Sequence, residues 1–148
     1  MCLSAEASFL ALVVSLIGSA SVWQLGGQAD RYVALWCVAV AMMQALELAM
    51  WLDQGCGTLN QIATALVPIL LMAQAVWLVG GAYLYGVTPI PPKVLQAWVV
   101  LTAVVLSVDI GTTHTTACST AHPELGHLVW GNRQQQREVG GVTLTWFP

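Results

Sequence analysis

The chain has 148 residues, of which 57% are hydrophobic and only 7% are charged, with a mean hydropathy of +0.74. A soluble domain is about 25% charged, so a surface of this composition could not be solvated on all sides. The formal net charge is −3 with only four basic residues, which argues against nucleic acid or anionic lipid as a partner. We therefore expect an integral membrane protein whose first partner is the lipid bilayer.

The apolar runs predict an all-α transmembrane bundle of four spans. A run of about 20 apolar residues is the length that crosses hydrocarbon. No Lys or Arg precedes Arg31, so the first run is interpreted as a retained span rather than a cleaved signal peptide. Gly-rich and Pro-rich segments separate the runs. The predicted spans lie at about residues 5–23, 31–52, 59–86 and 93–110.

Residues 1–111 thus form the predicted membrane domain, and residues 112–148 an irregular extramembrane tail. The tail contains all three histidines and no apolar run of spanning length. Its stretch 142–146 alternates apolar and polar residues after two glycines, which predicts a short β-hairpin. The last residues carry no stop or cap signal. We therefore expect that the chain is a fragment of a longer protein with further spans.

The even number of spans and the positions of the basic residues predict the orientation in the membrane. Four spans place both termini and the loop 53–57 on one side, and the two other turns on the opposite side. Among the short loops only those two turns carry basic residues, Arg31 and Lys93. The positive-inside rule makes them cytoplasmic. The N-terminus and the tail are therefore predicted to be extracytoplasmic.

Polar side chains inside the predicted spans form the main candidate site. An ionisable group in hydrocarbon costs about 3 kcal/mol even on lenient insertion scales, so Glu47 needs a partner, a cavity or a proton. Gln44, Glu47 and Trp51 share one helix face. The functional interpretation is a cation or proton site; the alternative is interhelical hydrogen bonding with Glu47 protonated. The candidate cluster consists of Glu47, Gln44, Thr64, Asp109, Asn60 and Gln74.

The cysteines and histidines suggest two further sites. Cys56 and Cys118 each follow an even-numbered span on the predicted outer side, where an oxidising compartment would allow a disulfide between them. His114, His122 and His127 have the residue type of a metal site, but no recognised ligand spacing is present. Loop histidines without a metal are the favoured alternative. No cofactor-binding motif is present in the sequence either.

Two motifs resemble those of a known family. The similarity covers about residues 40–130 and is carried by Asp53-Gln54, Cys56, Asn60 and Gln74, together with Met43-Gln44-x-x-Glu47-x-x-x-Trp51 and His127-Leu128-x-Trp130. The chain resembles polytopic membrane proteins encoded by large DNA viruses and by some algae and protists. This resemblance implies a helical membrane bundle with further spans beyond the second motif. It implies no specific reaction.

Three functional hypotheses follow from the sequence. The first is a small cation or proton channel or transporter that uses the cluster around Glu47. The second is a structural or partner-binding membrane protein, whose polar groups assemble the bundle, a homo-oligomer or a complex with another membrane protein. The third, a membrane enzyme using Glu47 and the tail histidines, has the least support.

Overall fold

The computed structural model describes residues 4–112, 118–121 and 128–130 of the chain. It contains four α-helices followed by two short antiparallel strands, and so confirms the predicted all-α fold with a tail. The stretch 142–146, where a hairpin was predicted, lies outside the described residues. The elements are α1 Ala5–Trp23, α2 Gln28–Leu52, α3 Thr58–Leu84, α4 Pro92–Thr112, β1 Ser119–Ala121 and β2 Leu128–Trp130.

Three of these helices, α1, α2 and α3, are long and apolar enough to cross a membrane, which fits an integral membrane protein. Within the described part of α4, the apolar segment Pro92–Ser107 is shorter. That α4 is a fourth span therefore stays a prediction.

The helix starts follow from local capping. Ser4 Oγ accepts a hydrogen bond from Ala7 N at 3.2 Å, which satisfies one of the free amides at the start of α1. The Asp30 carboxylate accepts from Gly27 N at 3.2 Å, so α2 begins at Gln28 rather than near Arg31 as predicted. Pro92 opens α4, where its fixed φ fits the first turn and its missing N–H is not needed.

Neighbouring helices in the chain pack side by side, α1 on α2, α2 on α3 and α3 on α4. Each interface includes a side chain that donates to a backbone carbonyl across it. Such bonds hold helices together in a membrane, where the lipid tails are as apolar as the helix surfaces and the hydrophobic effect does not drive the helices to associate. The three bonds are Ser19 Oγ to Ala34 O at 2.6 Å, Gln74 Nε2 to Ala39 O at 2.9 Å and Trp98 Nε1 to Ala75 O at 2.8 Å.

A close contact between α2 and α3 depends on a glycine. A Cβ placed on Gly81 would lie 3.0 Å from ring carbons of Tyr32. The Tyr32 hydroxyl donates to Leu78 O at 2.9 Å, which fixes the ring in this position. The contact therefore needs the absence of a side chain at Gly81.

The apolar core lies at the opposite end of these two helices. Met50, Ala63 and Val67 are buried there, together with Leu128 of the tail. The outward faces of the helices carry many exposed apolar side chains, as a lipid-facing surface requires. The core thus joins the helix ends to the tail.

Candidate functional site: the Asn60 junction

A dense cluster of polar side chains lies where α2 ends, α3 begins and β1 passes. The Asp53 carboxylate organises the turn, since its two oxygens accept from Gly57 N and Asn60 N, each at 3.1 Å. An anionic group at a helix N-terminus satisfies free amides and interacts favourably with the helix dipole. We call the side chains of Gln54, Asn60 and Thr64, which hold the tail, the Asn60 junction.

Asn60 is at the centre of the junction and is fully buried. Its Nδ2 donates to Ser119 O at 2.7 Å, to Asp53 O at 2.9 Å and to Met50 O at 3.2 Å. Its Oδ1 accepts from Ser119 N at 2.8 Å. One amide therefore binds both backbone groups of a residue 59 positions away and two carbonyls at the end of α2.

Two further side chains complete the junction. Thr64 Oγ1 lies 3.2 Å from Asn60 Oδ1 and 3.0 Å from Ser119 Oγ. Gln54 Oε1 accepts from Ala121 N at 2.7 Å, while its Nε2 donates to Met50 O at 2.7 Å. The tail strand is thus held at two alternate residues, at Ser119 by Asn60 of α3 and at Ala121 by Gln54 of the turn after α2.

This arrangement matches the geometry of a strand. Successive residues of an extended chain direct their backbone groups to opposite edges. Ser119 and Ala121 face the helix ends, while Thr120 is paired with Val129 of β2. The junction therefore occupies the second edge of β1, in the way that another strand would.

A disulfide joins the same two parts of the chain. Cys56 and Cys118, the pair that parity places on one side, are bonded, with their Cα atoms 5.6 Å apart. Cys56 has a φ of 60°, a conformation that is uncommon for a residue with a side chain. The turn is held in place by Gln61, whose Nε2 donates to Cys56 O at 2.9 Å.

The remaining residues of the predicted transport cluster lie elsewhere, along α2, α3 and α4. Gln74 bonds to the α2 backbone, far from the junction. Glu47 is only 3% exposed, and Gln44 is half-buried. Asp109 lies near the end of α4, and its side chain is outside what the structure describes. Within the described part of the chain, two members of the predicted cluster, Asn60 and Thr64, are in direct contact.

The hydrogen-bond registers place polar groups at similar depth. The Gln74–Ala39 bond shows that these two residues lie at the same depth in the antiparallel helices α3 and α2. Counting eight residues from each toward the junction, Glu47 of α2 lies at about the depth of Leu66 of α3. Continuing from the Ser19–Ala34 bond, Ser8 is level with residues close to Glu47 on α2. Ser8 Oγ is buried without a hydrogen-bond partner among the described residues. This is the strongest observation in favour of a polar site near Glu47.

The metal hypothesis receives no support from the described residues. The three histidines, His114, His122 and His127, lie outside them. Within the described part of the chain, no group of three His, Cys, Asp or Glu side chains could hold a metal ion. The Asp53 carboxylate is used as a helix cap.

The sequence reasoning missed Ser119 as a partner of Asn60, Gln54 as a partner of Ala121, and Leu128 as a member of the apolar core. Leu128 and Gln54 lie inside the motifs quoted for the resemblance. Ser119 follows Cys118 directly. The predicted disulfide between Cys56 and Cys118 was therefore the sequence feature that could have placed Ser119 near the start of α3.

Comparison of the chain with protein-family models, curated proteins and solved structures finds no match. The resemblance to polytopic proteins of large DNA viruses, algae and protists therefore stays a prediction.

Proposed function

We propose that the chain is a structural, partner-binding membrane protein in which the Asn60 junction holds an extramembrane tail against the helix bundle. The observation that carries this proposal is the buried Asn60 amide bonded to both backbone groups of Ser119. A buried amide with its donors and acceptor in use stabilises a fixed arrangement.

Other polar side chains support the same interpretation. Gln74, Trp98 and Ser19 each donate to a carbonyl of a neighbouring helix. Such contacts assemble helices, with a typical net value of about 1 kcal/mol each. The proposed partners are the lipid bilayer and a second membrane-embedded chain.

Labelling of Cys118 tests whether the junction holds the tail. The parent is the full-length chain with Cys2, Cys37 and Cys56 replaced by Ser, which leaves Cys118 as the only thiol. Asn60→Leu should raise its labelling rate with a bulky maleimide by about tenfold or more, since two hydrogen bonds of about 1 kcal/mol each are lost.

Gln61→Leu is the matched control, because it removes an amide from the same turn without touching the tail. Its labelling rate should equal that of the parent. Equal rates for the parent and for Asn60→Leu would refute the proposed role of the junction.

A second candidate function is passage of a cation or proton along the cluster at Glu47. Two observations favour it: Glu47 is buried, and the unpartnered hydroxyl of Ser8 lies at nearly the same depth. A buried carboxyl inside a predicted span is a typical feature of ion and proton pathways.

We also propose that the junction, the N-terminus and the tail lie on the extracytoplasmic side. The Cys56–Cys118 disulfide supports this orientation, because disulfides persist in oxidising compartments. Arg31 and Lys93 at the opposite end agree with the positive-inside rule.

A further inference from the structure

The junction recognises backbone more than side chains. Asn60 and Gln54 contact β1 through the N–H and C=O of Ser119 and the N–H of Ala121. A side-chain amide offers one acceptor and two donors, and so reproduces the edge of a strand. Binding to main-chain atoms at a strand edge is the way in which many proteins capture an extended segment.

Two other groups complete a binding site for such a segment. Cys56 lies beside it and forms a covalent bond to the residue before the strand. The apolar pocket of Met50, Ala63 and Val67 receives Leu128 from the paired strand. The site thus combines backbone recognition, an apolar pocket and a thiol.

None of these contacts depends on continuity between the tail and the helices that bind it. Five residues, 113–117, separate α4 from Cys118 in the sequence. Fully extended, they reach at most about 18 Å. The same segment of a second copy beside the first would make every one of these contacts, as in domain swapping.

We propose that the junction also binds residues 118–121 of a second copy, giving a homo-oligomer linked by disulfides between Cys56 of one copy and Cys118 of the other. This inference rests on the proposed function, since it uses the same junction.

Exchange of the disulfides between two copies needs no net oxidant. A small thiolate attacks Cys56 Sγ and displaces Cys118 as thiolate, which attacks Cys56 of the other copy. The Cys118 thiolate released from the second copy then attacks Cys56 of the first copy and displaces the small thiolate. Two intrachain disulfides have thus become two interchain disulfides.

The test uses two full-length copies of different tag size, both lacking Cys2 and Cys37. The acceptor keeps Cys56 and carries Cys118→Ser with Ser119→Pro, so that its own segment does not occupy its junction. The donor keeps Cys118 and carries Cys56→Ser with Asn60→Leu, so that its own junction does not hold its segment. They are incorporated together into lipid vesicles containing a glutathione redox buffer. The expected product is a mixed disulfide dimer, formed in about tenfold excess over either homodimer, because only this pairing uses the junction hydrogen bonds.

Two variants with a matched control identify the bound segment. Asn60→Leu in the acceptor should lower the mixed dimer about tenfold. Ser119→Pro in the donor should do the same, because proline has no N–H to donate to Asn60. Ser119→Ala keeps that N–H and should retain most of the dimer.

Two results would overturn the exchange proposal. One is a fraction of mixed dimer no larger than random pairing of the two copies gives, and the other is a fraction that neither Asn60→Leu nor Ser119→Pro changes. Its failure is separable from that of the proposed function. If Cys118 labelling depends on Asn60 but no mixed dimer forms, the junction binds only its own tail. If labelling does not depend on Asn60, the proposed function itself is wrong.

Discussion

Asn60 illustrates what a buried polar residue contributes when all its partners are backbone groups. Its spacing from Thr64 placed both residues on one face of α3, and that could be predicted from the sequence. Its partner Ser119 could not, because helical periodicity contains no information about a contact between residues 59 positions apart. The disulfide prediction came closest, since it joined Cys56 to the residue before Ser119.

Glu47 is the residue at which the two candidate functions diverge. The structural account predicts that vesicles containing the wild-type protein conduct protons and monovalent cations no faster than protein-free vesicles. Glu47→Gln, which keeps the side-chain volume, should leave that rate unchanged. A pH-sensitive dye trapped inside the vesicles measures the proton rate.

Glu6→Gln is the control, because it makes the same substitution at an exposed position on α1. Wild-type flux that is lost in Glu47→Gln and kept in Glu6→Gln would establish the transport function and reject the purely structural one.

At the scale of elements, the apolar runs predicted four helices, and the observed helices begin and end within a few residues of the expected positions. The strands β1 and β2 were not predicted from the sequence, and the hairpin predicted at residues 142–146 lies outside the described residues. β1 and β2 have three residues each and are held by the junction, so their own pattern is too short to indicate a strand.

The contact between α2 and α3 at Gly81 gives a prediction at this scale. Gly81→Val should lower the free energy of unfolding by about 1–3 kcal/mol, because its side chain would press on the rings of Trp77 in α3 and Tyr32 in α2. Gly80→Val is the control, since a Cβ there meets nothing within 4 Å. Thermal unfolding in detergent compares the two variants. Equal melting temperatures would mean that the helices do not approach closely at Gly81.

For the whole molecule, the arrangement places one disulfide-linked end and one basic end on opposite sides of the bundle. The proposed orientation predicts that a membrane-impermeant phosphine reduces Cys56–Cys118 in sealed right-side-out vesicles and leaves it intact in inverted ones. Mass labelling of the released thiols reports the result. Reduction only in inverted vesicles would reverse the orientation and place the junction in the cytoplasm.

The central claim is that the helices hold the tail through the Asn60 junction and not by the disulfide alone. Hydrogen exchange at the amides of Ser119 and Ala121 tests it in the full-length chain carrying Cys56→Ser and Cys118→Ser. Because these amides donate to Asn60 and Gln54, they should exchange about tenfold or more slowly than in the same chain with Asn60→Leu added. Exchange of both amides at the rate of an unstructured peptide, with Asn60 present, would contradict the account.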